Sequence, residues 1–129
     1  YKRVEGDGSM PDTQKDFYKK FLGKKGERLA EEEIKKCGYK LVKRNFTTPY
    51  GEADLVFQKG DETIFVEVKT RSGTSFGLPC EAVGYKKQEK YRMIAEHYFR
   101  NDGGADGKNI SFAVAEVTPA GVNVIYNAF

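Results

Sequence analysis

Residues 51–71 read GEADLVFQKGDETIFVEVKTR, two apolar segments around Gly60-Asp61 that carry Asp54, Glu67 and Lys69 where a buried strand would be apolar. Glycine at the first position of a two-residue loop is what a type II′ turn demands, so EADLVFQ and ETIFVEVKT are expected to form a β-hairpin. That turn pairs Lys59 with Glu62, Phe57 with Ile64 and Asp54 with Glu67. Side chains alternate along a strand, so Leu55, Phe57, Ile64, Val66 and Val68 share one apolar face. Asp54, Glu67 and Lys69 share the other face with Val56 and Phe65, which therefore is not a simple wetted surface.

Like charges directly opposite each other in a sheet repel, and more so where water is partly excluded. Something positive should sit between them, and Lys69 supplies part of it. Two carboxylates with Cβ atoms about 5 Å apart also suit a divalent cation. Hard oxygen ligands with few protein contacts favour Mg²⁺, which keeps waters and leaves positions for phosphate oxygens. The Lys69 ammonium could then orient or help deprotonate an attacking water and stabilise developing negative charge, a plan for metal-assisted phosphodiester hydrolysis. A partly exposed salt-bridge cluster is the alternative on the same residues. The hairpin register separates the two, because a slip of one residue undoes the arrangement.

Before the hairpin, Tyr18, Leu22, Gly26, Ala30, Ile34 and Cys37 recur at spacings of three and four, broadened by Phe17, Phe21 and Leu29, which predicts a helix from Pro11 to Cys37 ended by Gly38. Gly26 inside that stripe costs helix stability, and a close approach of helix to sheet would be a reason to keep it. Glu27 then borders the buried face, while Glu31-Glu32-Glu33 reads as a solvated face. YKLVKRNF, residues 39–46, reads as a strand closed by the turn TTPYG. After the hairpin, RSGTSFGLPC is a loop and residues 82–100 a second helix, with Val83, Lys87, Tyr91, Ile94, Ala95 and Tyr98 near one face. NDGGADGKN is a connection, and ISFAVAEV and VNVIYNAF are strands joined by Thr118-Pro119-Ala120-Gly121. Helix, three strands, helix and two strands describe an α/β fold around a mixed sheet.

The chain has 129 residues, 39% hydrophobic and 32% charged, which fits one globular domain over 11–129. Residues 1–10 are expected to be a flexible leader or a remnant of cloning. No apolar run approaches the roughly 18 residues of a membrane span, so no membrane association is expected. Cys37 and Cys80 lack CxxC or Cys/His clustering, so neither a zinc site nor a disulfide framework is suggested, and a reducing cytoplasm suits them. The net charge of +3 is too small to mark nucleic-acid binding by itself. Its distribution is local: between residues 69 and 100 there are seven Lys/Arg against three Glu. Arg71, Lys86, Lys87, Lys90 and Arg92, with Tyr85 and Tyr91 nearby, could contact phosphates and stack on a base. The loop SGTSFGLP could touch the substrate backbone. His97, the single histidine, has no nucleophilic constellation around it and reads as a boundary residue, and no Gly-rich phosphate loop is present.

GERLAEEEIKKCGYKLVKRNF (26–46), GEADLVF (51–57), FVEVKTR (65–71), EAVGYKKQEKYRMIAEHYF (81–99) and VIYNAF (124–129), in that order, resemble the YraN-like family. This is a largely uncharacterised bacterial group in the restriction-endonuclease-like PD-(D/E)XK superfamily. The resemblance implies an αβββαβ core with a mixed central sheet flanked by helices. It makes Asp54, Glu67 and Lys69 the catalytic triad and Glu27 the first-helix acid that completes the metal site in related Holliday-junction resolvases. Lys87 takes the place of the basic residue of the second helix. Two positions depart from the family pattern: its Pro-Asp is Ala53-Asp54 here, and its frequent Arg-Phe-Asp in the penultimate strand is Ser111-Phe112-Ala113. The reading that follows is a Mg²⁺- or Mn²⁺-dependent nuclease acting on DNA, branched or single-stranded. Asp54, Glu67 and Glu27 bind metal, Lys69 assists the water, and Lys87 supports the site. The competing readings are a catalytically inactive nucleic-acid-binding module of the same fold and an interaction protein that forms a homodimer by pairing NVIYNAF across a sheet edge.

Overall fold

The computed structural model of the chain describes residues 12–71, 83–101 and 109–129, and side chains from residue 22 onward. The expected leader, the loop SGTSFGLP with Cys80, most of NDGGADGKN and the aromatic positions Phe17, Tyr18 and Phe21 lie outside the described side chains. The elements follow the expected order: α1 (Asp12–Lys36), β1 (Lys40–Thr48), β2 (Gly51–Lys59), β3 (Glu62–Thr70), α2 (Tyr85–Asn101), β4 (Asn109–Thr118) and β5 (Gly121–Ile125). The strands form one sheet in the order β1-β2-β3-β4-β5. Only β3 and β4 run parallel, because α2 carries the chain back across the sheet between them; the other neighbours are antiparallel.

Each helix covers one face of the sheet. Ala30 and Ile34 of α1 pack on Leu55, Phe57, Ile64, Val66, Ala113, Ala115 and Val117, the apolar face expected from the hairpin alternation. Tyr91, Ile94, Ala95 and Tyr98 of α2 pack on Val56 and Phe65 of the opposite face, joined by Phe46 and Ala53. α1 ends where Gly38 adopts φ 91°, with the Cys37 and Gly38 amides donating to Ile34 O and Lys35 O at 3.0 Å each. Cys37 is therefore in the turn and exposed, not in the buried stripe where its spacing placed it. Gly60 takes φ 61°, as the expected hairpin turn requires. A Cβ on Gly26 would collide with Thr70 Oγ1, so glycine at this position lets α1 lie close over the end of β3 and brings Glu27 there with it.

Glu31 corrects the solvated-face reading of the three glutamates. It is buried, and its carboxylate accepts from Arg44 Nε at 2.8 Å and Nη2 at 2.9 Å, and from Lys35 Nζ at 2.6 Å. Of the other two, Glu32 is exposed and Glu33 half-buried. Among the described residues, no helix is long and apolar enough to cross a membrane.

Candidate functional site

The β2–β3 ladder runs from Lys59↔Glu62 to Leu55↔Val66, the register expected from the turn, and stops one pair short of Asp54 and Glu67. At that point Asp54 Oδ2 accepts the Val68 amide at 2.7 Å, so a side chain serves where the ladder has no further strand pair. Across from Asp54 on β1, Asn45 adopts φ 48°. The faces change hand here: Arg44 and Leu55 lie on the α1 side, Phe46 and Ala53 on the α2 side. The break in alternation at Asn45 and Asp54 is a bulge-like distortion that period-two reasoning alone does not reveal.

Glu67 is only 5% exposed. Its Oε1 accepts the Tyr91 hydroxyl at 2.9 Å, and its Oε2 forms an ion pair with Lys87 and lies 3.8 Å from Lys69 Nζ. The three residues read from the hairpin, Asp54, Glu67 and Lys69, thus meet at one place, and the second helix delivers Lys87 to it. Lys87 lies one turn before the buried stripe of α2, which aims its stem at the sheet.

Burial raises the Asp54 carboxyl, and the neighbouring Glu67 raises it further through its charge and a shared hydrogen bond. The Glu27 charge adds to this, while the Val68 amide favours the ionised form; the outcome is a carboxyl pushed up to about 7. Glu27 is raised as well, by burial first and then by Glu52 and Glu67, against the lowering influence of Lys24. Glu27 is thus close enough to exchange electrostatic influence with the pair. Among the described residues, however, no three His, Cys, Asp or Glu side chains gather closely enough to hold a metal ion between them. The donor set that fits a cation is the Asp54–Glu67 pair. Two carboxylate groups with the remaining positions left to water is the ligand pattern Mg²⁺ accepts, and a cation would offset both the burial and the Glu67 charge that raise Asp54.

The remaining basic candidates divide. Arg71 donates from Nε to Glu116 Oε2 at 2.9 Å, a carboxylate that is fully buried. Lys86 and Lys90 are exposed on α2, as is Tyr85. Tyr91 is not available to stack on a base: it is 1% exposed, its ring packed edge-on against Phe112 and Phe129. Burial and the nearby carboxylates raise its hydroxyl far above the usual phenol range, so it serves as a donor to Glu67.

Sequence reasoning missed two roles. Tyr91 was read as part of the inward stripe, and its spacing of four from Lys87 was the available signal that both reach the same carboxylate. Glu116 stands in the apolar run AVAEV and is in register with Lys69 on the parallel neighbour strand, so it shares the α2 side with the site. An acid in the middle of a buried strand was its signal.

The chain matches the model of the uncharacterised protein family UPF0102 over residues 26–117. It is 41% identical to a UPF0102 protein of Alkaliphilus metalliredigens over 85% of this chain and 98% of that relative. It is 39% identical to one of Caldicellulosiruptor saccharolyticus, covering 86% and 98%, and 43% identical to one of Syntrophomonas wolfei, covering 84% and 96%. The chain belongs to this family, in agreement with the resemblance its motifs carry.

Proposed function

We propose that this member of the UPF0102 family is a metal-dependent nuclease of the PD-(D/E)XK superfamily that hydrolyses phosphodiester bonds in DNA, branched or single-stranded. The observation that carries the reading is the Asp54 carboxyl, desolvated beside Glu67 at the point where β2 leaves β3, with Lys69 at its rim. Ionised Asp54 weakens the fold unless a cation joins it, because the neighbouring lysines pair with Glu67, and those lysines suit a phosphate. Asp54 and Glu67 would hold Mg²⁺ or Mn²⁺, with Glu27 approaching from α1. When bound, the metal would supply charge neutralisation at the phosphate and acidify a coordinated water.

The chain's own groups account for the rest. Tyr91 holds Glu67 in one orientation from within the core. Lys69, 38% exposed at its side chain, is placed to orient a water and to stabilise charge on the phosphate. Lys87, bound to Glu67, is near enough to transfer its contact to a phosphate oxygen. One observation favours the second reading, an inactive nucleic-acid-binding module: both Glu67 oxygens already have partners, Tyr91 on one and Lys87 on the other.

The test is divalent-dependent cleavage of labelled single-stranded DNA, duplex DNA, a four-way junction and RNA, with Asp54→Ala and Lys69→Ala purified in parallel. A nuclease cleaves at least one substrate in Mg²⁺ or Mn²⁺ and loses turnover by about 10²–10⁴-fold in Lys69→Ala while still binding. Wild-type silence across the panel with retained binding supports the inactive module.

A further inference from the structure

Most cations between Lys69 and Arg100 are engaged: Lys69 and Lys87 with Glu67, Arg71 with Glu116, Arg92 with Glu89 and Arg100 with Glu96. Lys86 and Lys90 are exposed and have no ion pair among the described residues. On α2, residues 86, 90, 93 and 97 are spaced by four, three and four, so Lys86, Lys90, Met93 and His97 form one stripe. The adjacent stripe, Glu89, Arg92, Glu96 and Arg100, neutralises itself through its own pairs. The first stripe contains no acid.

That stripe runs over the turn between β1 and β2. Lys90 Cδ is 4.0 Å from where a Cβ on Gly51 would lie, and the His97 ring meets the Tyr50 ring edge-on with centroids 6.2 Å apart. Tyr50 is 42% and Met93 43% exposed, so both leave apolar surface open beside the lysines of the stripe. The turn that presents Tyr50 is fixed. The Thr48 hydroxyl donates to Gly51 O at 2.9 Å and accepts the Tyr50 amide at 3.0 Å, and Gly51 adopts φ 142°. Glu52, the acid next in the hairpin, does not face the stripe. It accepts the Thr47 hydroxyl at 3.1 Å and raises Glu27 on the α1 side. Tyr50 precedes Asp54 by four residues, roughly 13 Å of strand, a distance spanned by a few nucleotides.

We propose that Tyr50, Met93 and His97, flanked by Lys86 and Lys90, form a platform for the unpaired nucleotides of a single DNA strand that leaves the Asp54–Glu67 site. A base would stack on Tyr50 and the lysines would follow the backbone. A closed duplex offers no free base face to Tyr50, so the platform selects unpaired strand. The inference rests on the proposed phosphodiester site and adds the substrate's path away from it.

The test is fluorescence anisotropy of a labelled single-stranded oligonucleotide and of its duplex, in EDTA across a salt series, with Tyr50→Ala, Tyr50→Phe, Lys90→Ala and Lys87→Ala. Tyr50→Ala is expected to weaken single-strand binding about tenfold and to leave duplex binding within about twofold of wild type. Tyr50→Phe is expected to bind as wild type, which separates stacking from loss of fold. Lys90→Ala is expected to reduce the slope of log K against log salt by about 0.7 for the single strand. Wild-type affinity in Tyr50→Ala and Lys90→Ala, with weakened binding in Lys87→Ala, overturns the platform and leaves the site standing. Absence of binding to either oligonucleotide in the wild type overturns the platform and the nucleic-acid reading of the site together.

Discussion

Glu31 and Asp54 both lie at the rim of the core, one beneath α1 and the other on the α2 side, and the chain treats their charges in opposite ways. The Glu31 side chain is 9% exposed, and Arg44 grips it with two parallel hydrogen bonds while Lys35 adds a third. Led by the Arg44 hydrogen bond, these partners pull its carboxyl down to about 2 despite its burial. Asp54 has one backbone amide, a second carboxylate beside it and a third acid nearby, and it moves up to about 7. Burial pushes both carboxyls up, Asp54 most of all, and only Glu31 has cations that outweigh it. The signs for stability follow. Glu31 stabilises the fold at pH values above its unfolded pKa, near 4.5, and that contribution is lost as pH falls toward 2. Asp54 works in reverse: the folded chain keeps a proton the unfolded chain has released, so stability declines as pH rises from about 3.8 to about 7. An acid with its own guanidinium belongs to the scaffold. Asp54, whose neighbour Glu67 takes both nearby lysines, is an acid without its own cation where a strand departs, and stability is given up there, as expected of a binding site.

The largest expected effect comes from removing the uncompensated charge. Asp54→Asn keeps an acceptor for the Val68 amide and should raise stability by about 2 kcal/mol at pH 8, a gain that shrinks toward zero at pH 4. Denaturant unfolding at both pH values measures it, and a loss of stability at pH 8 would break the comparison. Glu31→Gln should act oppositely and somewhat more weakly, since Arg44 is 61% exposed and water screens the pair. We expect a loss of about 1.5 kcal/mol at pH 7 that vanishes near pH 2. An equal loss at both pH values would show that packing, not charge, holds Glu31.

Tyr91→Phe should cost about 1 kcal/mol, because the ring keeps its packing while buried Glu67 loses a donor. The same variant should weaken divalent-ion stabilisation of the folded protein in a thermal shift assay. An unchanged response to Mn²⁺ would remove Tyr91 from the site and leave it as core. Smallest of all, Arg92→Ala breaks an exposed pair one helical turn long and should change stability by under about 0.5 kcal/mol.

Much of this contrast was legible in the sequence, and what was not has identifiable causes. The hairpin register followed from Gly60-Asp61 alone, because a two-residue turn leaves one way to pair the strands, and the two faces of the sheet followed from it. Asp54, Glu67 and Lys69 were therefore legible on one face, whereas Lys87 was legible from the family resemblance and from its place four residues before Tyr91 on the inward stripe of the second helix. Glu31 was misjudged because three consecutive glutamates look like a wet face; its neighbour Ala30 lies at the centre of the buried stripe, and Arg44 reaches it from another element. The early end of the ladder at Asp54 was invisible because it coincides with a local break opposite Asn45 in β1, whose left-handed backbone has no period-two signature. Tyr50 was passed over as a turn residue, since its exposure beside His97 arises only when α2 lies across the β1–β2 turn.

The most direct measurement is an NMR titration of the side-chain carboxyl carbons of Glu31 and Asp54, with and without Mg²⁺. The account predicts a midpoint near 2 for Glu31 that Mg²⁺ leaves in place, and a midpoint near 7 for Asp54 that falls when Mg²⁺ is added. An Asp54 midpoint below 4, unmoved by Mg²⁺, would contradict it and return Asp54, Glu67 and Lys69 to a salt-bridge cluster.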